Sequence, residues 1–159
     1  MPDRRTPFQN TGERDMLVLF LDYLRESVIV KASGLAPDLA TRALVPSGTS
    51  LLGLVKHLTY VEVVWFPWTF AGRQLTLPES ALDARDTEAS VVGAYRAAIA
   101  QSNEIVAEHH DLDRRCARRA TAPEPMSLRW VLVHMVEETA RHAGHADILR
   151  EQLDGEVGR

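Results

Sequence analysis

The chain has 159 residues, 45% apolar and 25% charged, with a net charge of −4. That is the size and balance of one globular domain with a core of its own, expected to span 1–159. The charge gives no basic footprint for nucleic acid, and no stretch approaches the roughly 18 continuous apolar residues of a membrane span, so neither is expected as a partner.

Residues 1–10 read as a polar arm. The first stretch has charge but no apolar core, so no signal peptide is expected. The lone cysteine, Cys116, excludes an internal disulfide and fits a reducing compartment, which makes the expected location cytoplasmic. From about Thr11 to Ala32 the pattern is helical. Met16, Leu17, Leu19, Phe20, Tyr23, Leu24 and Val28 make a broad apolar face, and Asp22, Arg25 and Glu26 fall outside it. Gly34 and Pro37 stop the helix.

A second helix begins at Thr49 or Ser50, either of which can cap it, and runs to about Phe70. Its apolar side carries Leu54, Leu58, Val61, Val64, Trp65 and Trp68, with His57 set among them. Pro67 should kink or end it. Residues 73–86 read as a crossover loop past one end of a bundle. A third helix, capped by Thr87, runs to about His109 with Val91, Val92, Tyr95, Ala98, Ile99, Ser102, Ile105 and Val106 inward. A connection follows with an arginine cluster, Arg114, Arg115, Arg118 and Arg119, around Cys116. Arginines close to that thiol would lower its pKa, but no base accompanies it.

The last helix is capped by Ser127 and stopped by Gly155. Leu128, Val131, Leu132, Met135, Ala146, Leu149 and Leu153 share one side of it. Glu138 and His142 fall in the middle of that stripe at i, i+4, so one lies above the other. A carboxylate and an imidazole aimed at a core need a partner, because an unpaired buried charge is costly. A metal ion is one such partner, and four helices around a core suit it. His57, Glu138 and His142 then form a three-ligand set with an open position. Zinc suits it best, and nickel, iron or manganese are acceptable. The alternative is a hydrogen-bonded core histidine at His57 and an arginine partner for Glu138. His134 and His145 lie on the edges of the same stripe, as substitute ligands or outer partners. His109 and His110 suit a helix C-terminus. The three tryptophans read as core.

The strings LLGLVKHLTYVEVVWF and HMVEETARHAGHADILRE, in this order and spacing, resemble the DinB/YfiT-like superfamily, and more closely its actinobacterial branch. The likeness runs from GERDMLVLFLDYLRESVIVKASGL to the final helix. It implies an all-α four-helix bundle with up-down-down-up connectivity. It implies a metal held by one histidine of the second helix and two residues of the last, which carries over to His57 and His142, HAGH standing where many relatives read HRGQ. The middle ligand is often histidine. Here Glu138 stands there, as in relatives resembling mycothiol-dependent maleylpyruvate isomerase, which leaves the metal's identity open. His145 is a candidate outer partner.

The resemblance further implies a metal-dependent S-transferase or isomerase that uses a low-molecular-weight thiol. Lysine occurs only at Lys31 and Lys56 against abundant arginine, a GC-rich bias that favours mycothiol as cosubstrate. The partners are then the thiol and a small electrophile, with a homodimer as the expected assembly. A metal-dependent hydrolase and a non-catalytic ligand-binding stress protein are the competing readings.

Overall fold

The computed structural model describes residues 6–157. The first half of the expected polar arm, 1–5, lies outside the described residues. Residues 6–12 carry no helix.

Helix α1 is Glu13–Ala32, α2 a single turn Pro37–Ala40, and α3 Leu51–Val63, which continues as a π-helical segment Val64–Phe70. Helix α4 is Glu88–Ala107 and α5 is Leu128–Asp154. The start signals read from the sequence are used. Ser50 accepts from the Gly53 amide, Thr87 forms a capping box with Ser90, and Ser127 accepts from the Trp130 amide. Each satisfies an amide that the first helical turn leaves unpaired. Gly155 ends α5 at a φ of 78°, in the left-handed region that glycine enters without strain.

Contacts between helix ends fix the connectivity. Lys56 near the start of α3 pairs with Asp86 just before α4, and Phe70 at the far end of α3 packs on His109 at the far end of α4, so the two run parallel. Arg129 pairs with Glu13, and Arg150 donates to the Lys31 and Ser33 carbonyls, so α1 and α5 also run parallel. Arg14 meets His110, and Gly34 donates to Glu88, which sets α1 antiparallel to α4. The bundle is therefore up-down-down-up. The segment between Phe70 and Thr87 carries the chain back along the bundle. Gly72 lets it leave: its φ is 69°, and a Cβ there would sit 2.7 Å from the Ala117 methyl.

Two helix faces differ from the sequence reading. On α1 the inward side is Leu21, Arg25, Val28, Ile29 and Ala32. Met16, Leu19, Phe20 and Tyr23 are only half-buried. The run MLVLFLDYL is apolar nearly all round, so periodicity does not single out one face. Arg25 is 1% exposed, against the expectation that it points outward. Its Nε and Nη2 donate to the two Glu62 oxygens at 2.7 Å each, and its Nη1 donates to Asp22 and Asn103. Burial works against the Arg25 charge, but Glu62 outweighs it and holds its pKa above the usual value. On α3, Phe66 and Phe70 fill the core, whereas Trp65 and Trp68 are half-buried. Pro67 cannot donate an amide hydrogen and crowds the carbonyl four residues back. The widened π turns accommodate it and rotate the following side chains out of α register.

The core falls into two clusters. Val28, Leu51, Leu52, Leu58, Tyr95 and Leu149 belong to one, and Leu21, Phe66, Phe70, Leu128, Leu132 and Met135 to the other. Each fully buried leucine contributes about 1.5–3 kcal/mol. Along α5, Glu138 and His142 lie between Met135 of one cluster and Ala146 of the other. Along α3, His57 lies between Leu54 and Val61 in the same way.

Candidate metal centre

Helices α3 and α5 run antiparallel past this waist, and each presents polar side chains to the groove between them. His57 sits in the second turn of α3, and the Ser50 cap sets where that turn begins. Gly53 belongs to the same arrangement, because a Cβ there would meet the cap oxygen at 3.0 Å. On α5, Glu138 and His142 are one turn apart. The three side chains come together. His57 Nε2 is 3.2 Å and His142 Nε2 3.1 Å from the same oxygen, Glu138 Oε1. One donor atom from each lies within 4.8 Å of the others. The imidazole centroids are 4.9 Å apart at 64°. The side chains of His57, Glu138 and His142 are 39%, 16% and 18% exposed, so the group is reachable from solvent on the His57 side.

The electrostatics favour the forms that bind cations. Burial pushes the Glu138 carboxyl up, but the hydrogen bonds and charge of His57 and His142 outweigh it, and its pKa falls below the ordinary value. Burial holds His142 below the ordinary imidazole value even with Glu138 beside it. Its Nδ1 is buried and has no hydrogen-bond partner among the described residues. A charged carboxylate and a neutral imidazole are the states in which these groups act as ligands. The donor set therefore fits a divalent ion.

The other sequence candidates lie elsewhere. His134 stacks on Trp130 at 5.0 Å and 19° and meets Trp65 edge-on at 4.6 Å, so it belongs to an aromatic wall one turn along the groove. Trp130 is 44% exposed there rather than core. His145 is exposed and touches His142 edge to ring at 5.5 Å. His109 Nδ1 donates to the Ile105 carbonyl, and His110 meets Arg14. Cys116 is buried, and burial pushes its thiol pKa up, so the arginine cluster does not activate it. Arg118 instead donates to the Trp68 carbonyl, and Arg115 and Arg119 donate to the Pro125 and Pro123 carbonyls. The cluster braces its own loop and ties it to the π-helical segment.

Sequence reasoning missed what surrounds the triad. A cavity of about 360 Å3 has His57 and His142 on its wall and the hydroxyl residues Ser47, Thr49, Ser50 and Ser80 around it. The run SGTS had an evident role only as a helix cap. Ser80 comes from the returning crossover, whose path no local pattern specifies. Arg141, on the exposed side of α5, places Nη1 3.4 Å from Glu137 and 4.0 Å from Glu138.

Comparison with known proteins gives the setting. A family model described as mycothiol-S-transferase matches residues 16–155. The fold is similar to the crystal structure of a conserved protein from Enterococcus faecalis, with a TM-score of 0.64 over 92% of this chain and 100% of that one, at 15% identity. No curated protein matches the chain.

Proposed function

The chain belongs to the mycothiol-S-transferase family, a DinB-like family, and from that premise we propose that it transfers a low-molecular-weight thiol, mycothiol, to a small electrophile. The observation that carries this reading is the convergence of His57, Glu138 and His142 within 4.8 Å beside a hydroxyl-lined cavity. These three residues would hold a divalent cation, zinc being the best match to two imidazoles and a carboxylate, with nickel, iron or manganese acceptable. When bound there, the cation supplies the positive charge that makes a thiol acidic enough to ionise at neutral pH.

The chain's own residues supply the rest. Ser47, Thr49, Ser50 and Ser80 offer hydroxyls to the polyol portion of the thiol, and among the described residues the cavity lining contains neither lysine nor arginine. That lining suits a neutral polyhydroxylated thiol and, apart from the cation itself, gives the carboxylates of a thiol no counter-charge. His145, whose ring lies 5.5 Å from that of His142, would take the thiol proton or pass it to water. The thiolate sulfur bonds to the electrophilic carbon, and the leaving group departs with its bonding electrons. In an isomerase the sulfur would instead add to one carbon of a double bond with no group leaving, the resulting single bond would turn, and the sulfur would leave with its bonding electrons as the double bond re-forms in the other geometry.

The test is elemental analysis of the purified protein together with a thiol-dependence assay. We expect close to one metal per chain, lost in His57→Ala and in His142→Ala, and turnover only when mycothiol is added. Metal retained in both variants removes the proposed centre. Turnover without thiol supports the hydrolase reading, in which water replaces the thiol. Full metal occupancy, with no thiol effect on spectrum or melting temperature, supports the non-catalytic one.

A further inference from the structure

Two large apolar side chains stand open to solvent close to the triad. Ile148 is 57% and Val45 39% exposed. With Leu149, His145, Ser47 and Thr49 they line a second cavity of about 330 Å3. Ser47 and Thr49 are shared with the hydroxyl-lined cavity that holds His57 and His142. His145 joins the two from the other side, its ring 5.5 Å from that of His142. The two cavities are thus neighbours across one loop. Hydroxyls border both, and the second adds the aliphatic side chains of Val45, Ile148 and Leu149.

We infer that the Val45–Ile148–Leu149 cavity seats the electrophile, and that the class it takes is uncharged and apolar. This rests on the thiol-transferase reading and adds to it the position and chemistry of the second substrate. Among the described residues its lining holds no carboxylate, ammonium or guanidinium. An apolar occupant covers Ile148 and Val45 and gains the free energy of removing that surface from water. A carboxylate in the same place loses water and finds only the His145 imidazole and the Ser47 and Thr49 hydroxyls as donors, with no fixed positive charge among the lining residues. Arg141, the guanidinium beside Glu138, is directed at Glu137 and Glu138 and lines neither cavity. A molecule resting on Ile148 would have the His145 ring, 5.5 Å from that of His142, between it and the triad. With a chlorodinitrobenzene, the sulfur–carbon bond forms, the carbon–chlorine bond breaks, chloride leaves with the electron pair, and the thiol proton passes to water.

The experiment uses the full chain and two pairs of probes. The unreactive pair is a dinitrotoluene and the same ring with a para-carboxylate. The reactive pair is the corresponding chlorodinitrobenzene and its para-carboxylate. Binding of the unreactive pair is followed by methyl NMR. The neutral ring is expected to shift the Ile148 and Val45 methyls and to bind at least about tenfold more tightly than the carboxylate. Ile148→Asp should weaken the neutral ring, and Ile148→Lys should move the preference toward the carboxylate. Both sites are exposed, and helical circular dichroism confirms that the variants fold. In turnover, Ile148→Asp should raise KM for chlorodinitrobenzene and leave KM for mycothiol unchanged.

Equal affinity for the two rings overturns the inference. So does binding of the neutral ring that is indifferent to both Ile148→Asp and Val45→Asp. If the binding pattern holds but turnover needs no thiol, the cavity assignment stands and the transferase reading falls. If turnover needs thiol but neither variant alters the electrophile's KM or binding, the transferase reading stands and the cavity assignment falls.

Discussion

Glu138 receives both imidazoles of the candidate centre on a single oxygen, and this makes the group sensitive to protons in a definite direction. Burial holds His142 below the ordinary imidazole value of 6.5, and Glu138 is held below 4.5 because its two histidine partners outweigh burial. Protons compete with metal for these groups. Both shifts are downward, so the ligand forms persist to lower pH than in a free peptide. Bound metal should survive dialysis at neutral pH and be lost only after the pH falls clearly below 6.5, as read by elemental analysis of the dialysed protein. The metal-free fold follows the same sign. The depressed pKa of His142 and that of Glu138 each contribute stability that is complete above the unfolded value and lost as pH falls through the folded one. A second residue-scale prediction concerns Arg25 and Glu62, which are 1% and 0% exposed. Glu62→Gln should cost about 3–5 kcal/mol in urea unfolding, because it takes the fully buried counter-charge from a buried guanidinium and leaves it only the partly exposed Asp22 carboxylate. Replacing both partners, Arg25→Met with Glu62→Leu, should recover most of that loss.

At the scale of one element, the π-helical segment Val64–Phe70 sets which aromatic side chains enter the core. Phe66 is fully buried, while Trp68 stays half-buried with the Arg118 guanidinium 4.8 Å above its ring. Phe66→Ala should therefore cost about 3–5 kcal/mol, as other large core truncations do. Trp68→Ala should cost only about 1 kcal/mol, the scale of a partly exposed cation–π contact. Urea midpoints of the two variants check this order. An unbroken α-helix through Pro67, with Trp65 and Trp68 inward, gives the reverse. The segment also bears on the site, since Trp65 builds the aromatic wall with Trp130 and His134 one turn from Glu138.

Across the whole molecule, the triad joins α3 to α5 at the waist between the two core clusters. A cation that binds the folded chain and not the unfolded one adds stability by mass action. Free metal at about 100 times its Kd contributes about 2.7 kcal/mol. Thermal melts should show a lower Tm after chelation, restored by adding metal back. His57→Ala should melt at the same temperature with and without metal, having lost one of the two helices' grips on the ion. If chelation leaves the wild-type Tm unchanged, the triad holds no ion that stabilises the bundle.

The sequence by itself determined the four long helices, their caps at Ser50, Thr87 and Ser127, the stop at Gly155, and the pairing of Glu138 with His142 on one face of α5. These are local matters: a cap needs one side chain and the next turn, and an i, i+4 pair needs only the helical repeat. The up-down-down-up order came from resemblance rather than periodicity, and contacts between helix ends establish it here. Only the tertiary structure decided which way α1 faces, because a helix apolar nearly all round takes its inward side from its neighbours, and Glu62 on α3 draws Arg25 in. Only it decided that Phe66 rather than Trp68 is core, because the π turns at Pro67 change the period on which the sequence reading relied. The surroundings of the triad also belong to tertiary structure. Ser47, Ser80 and Ile148 are far apart along the chain and meet because the crossover returns and α5 runs back past the loop before α3, a closure that no local repeat encodes.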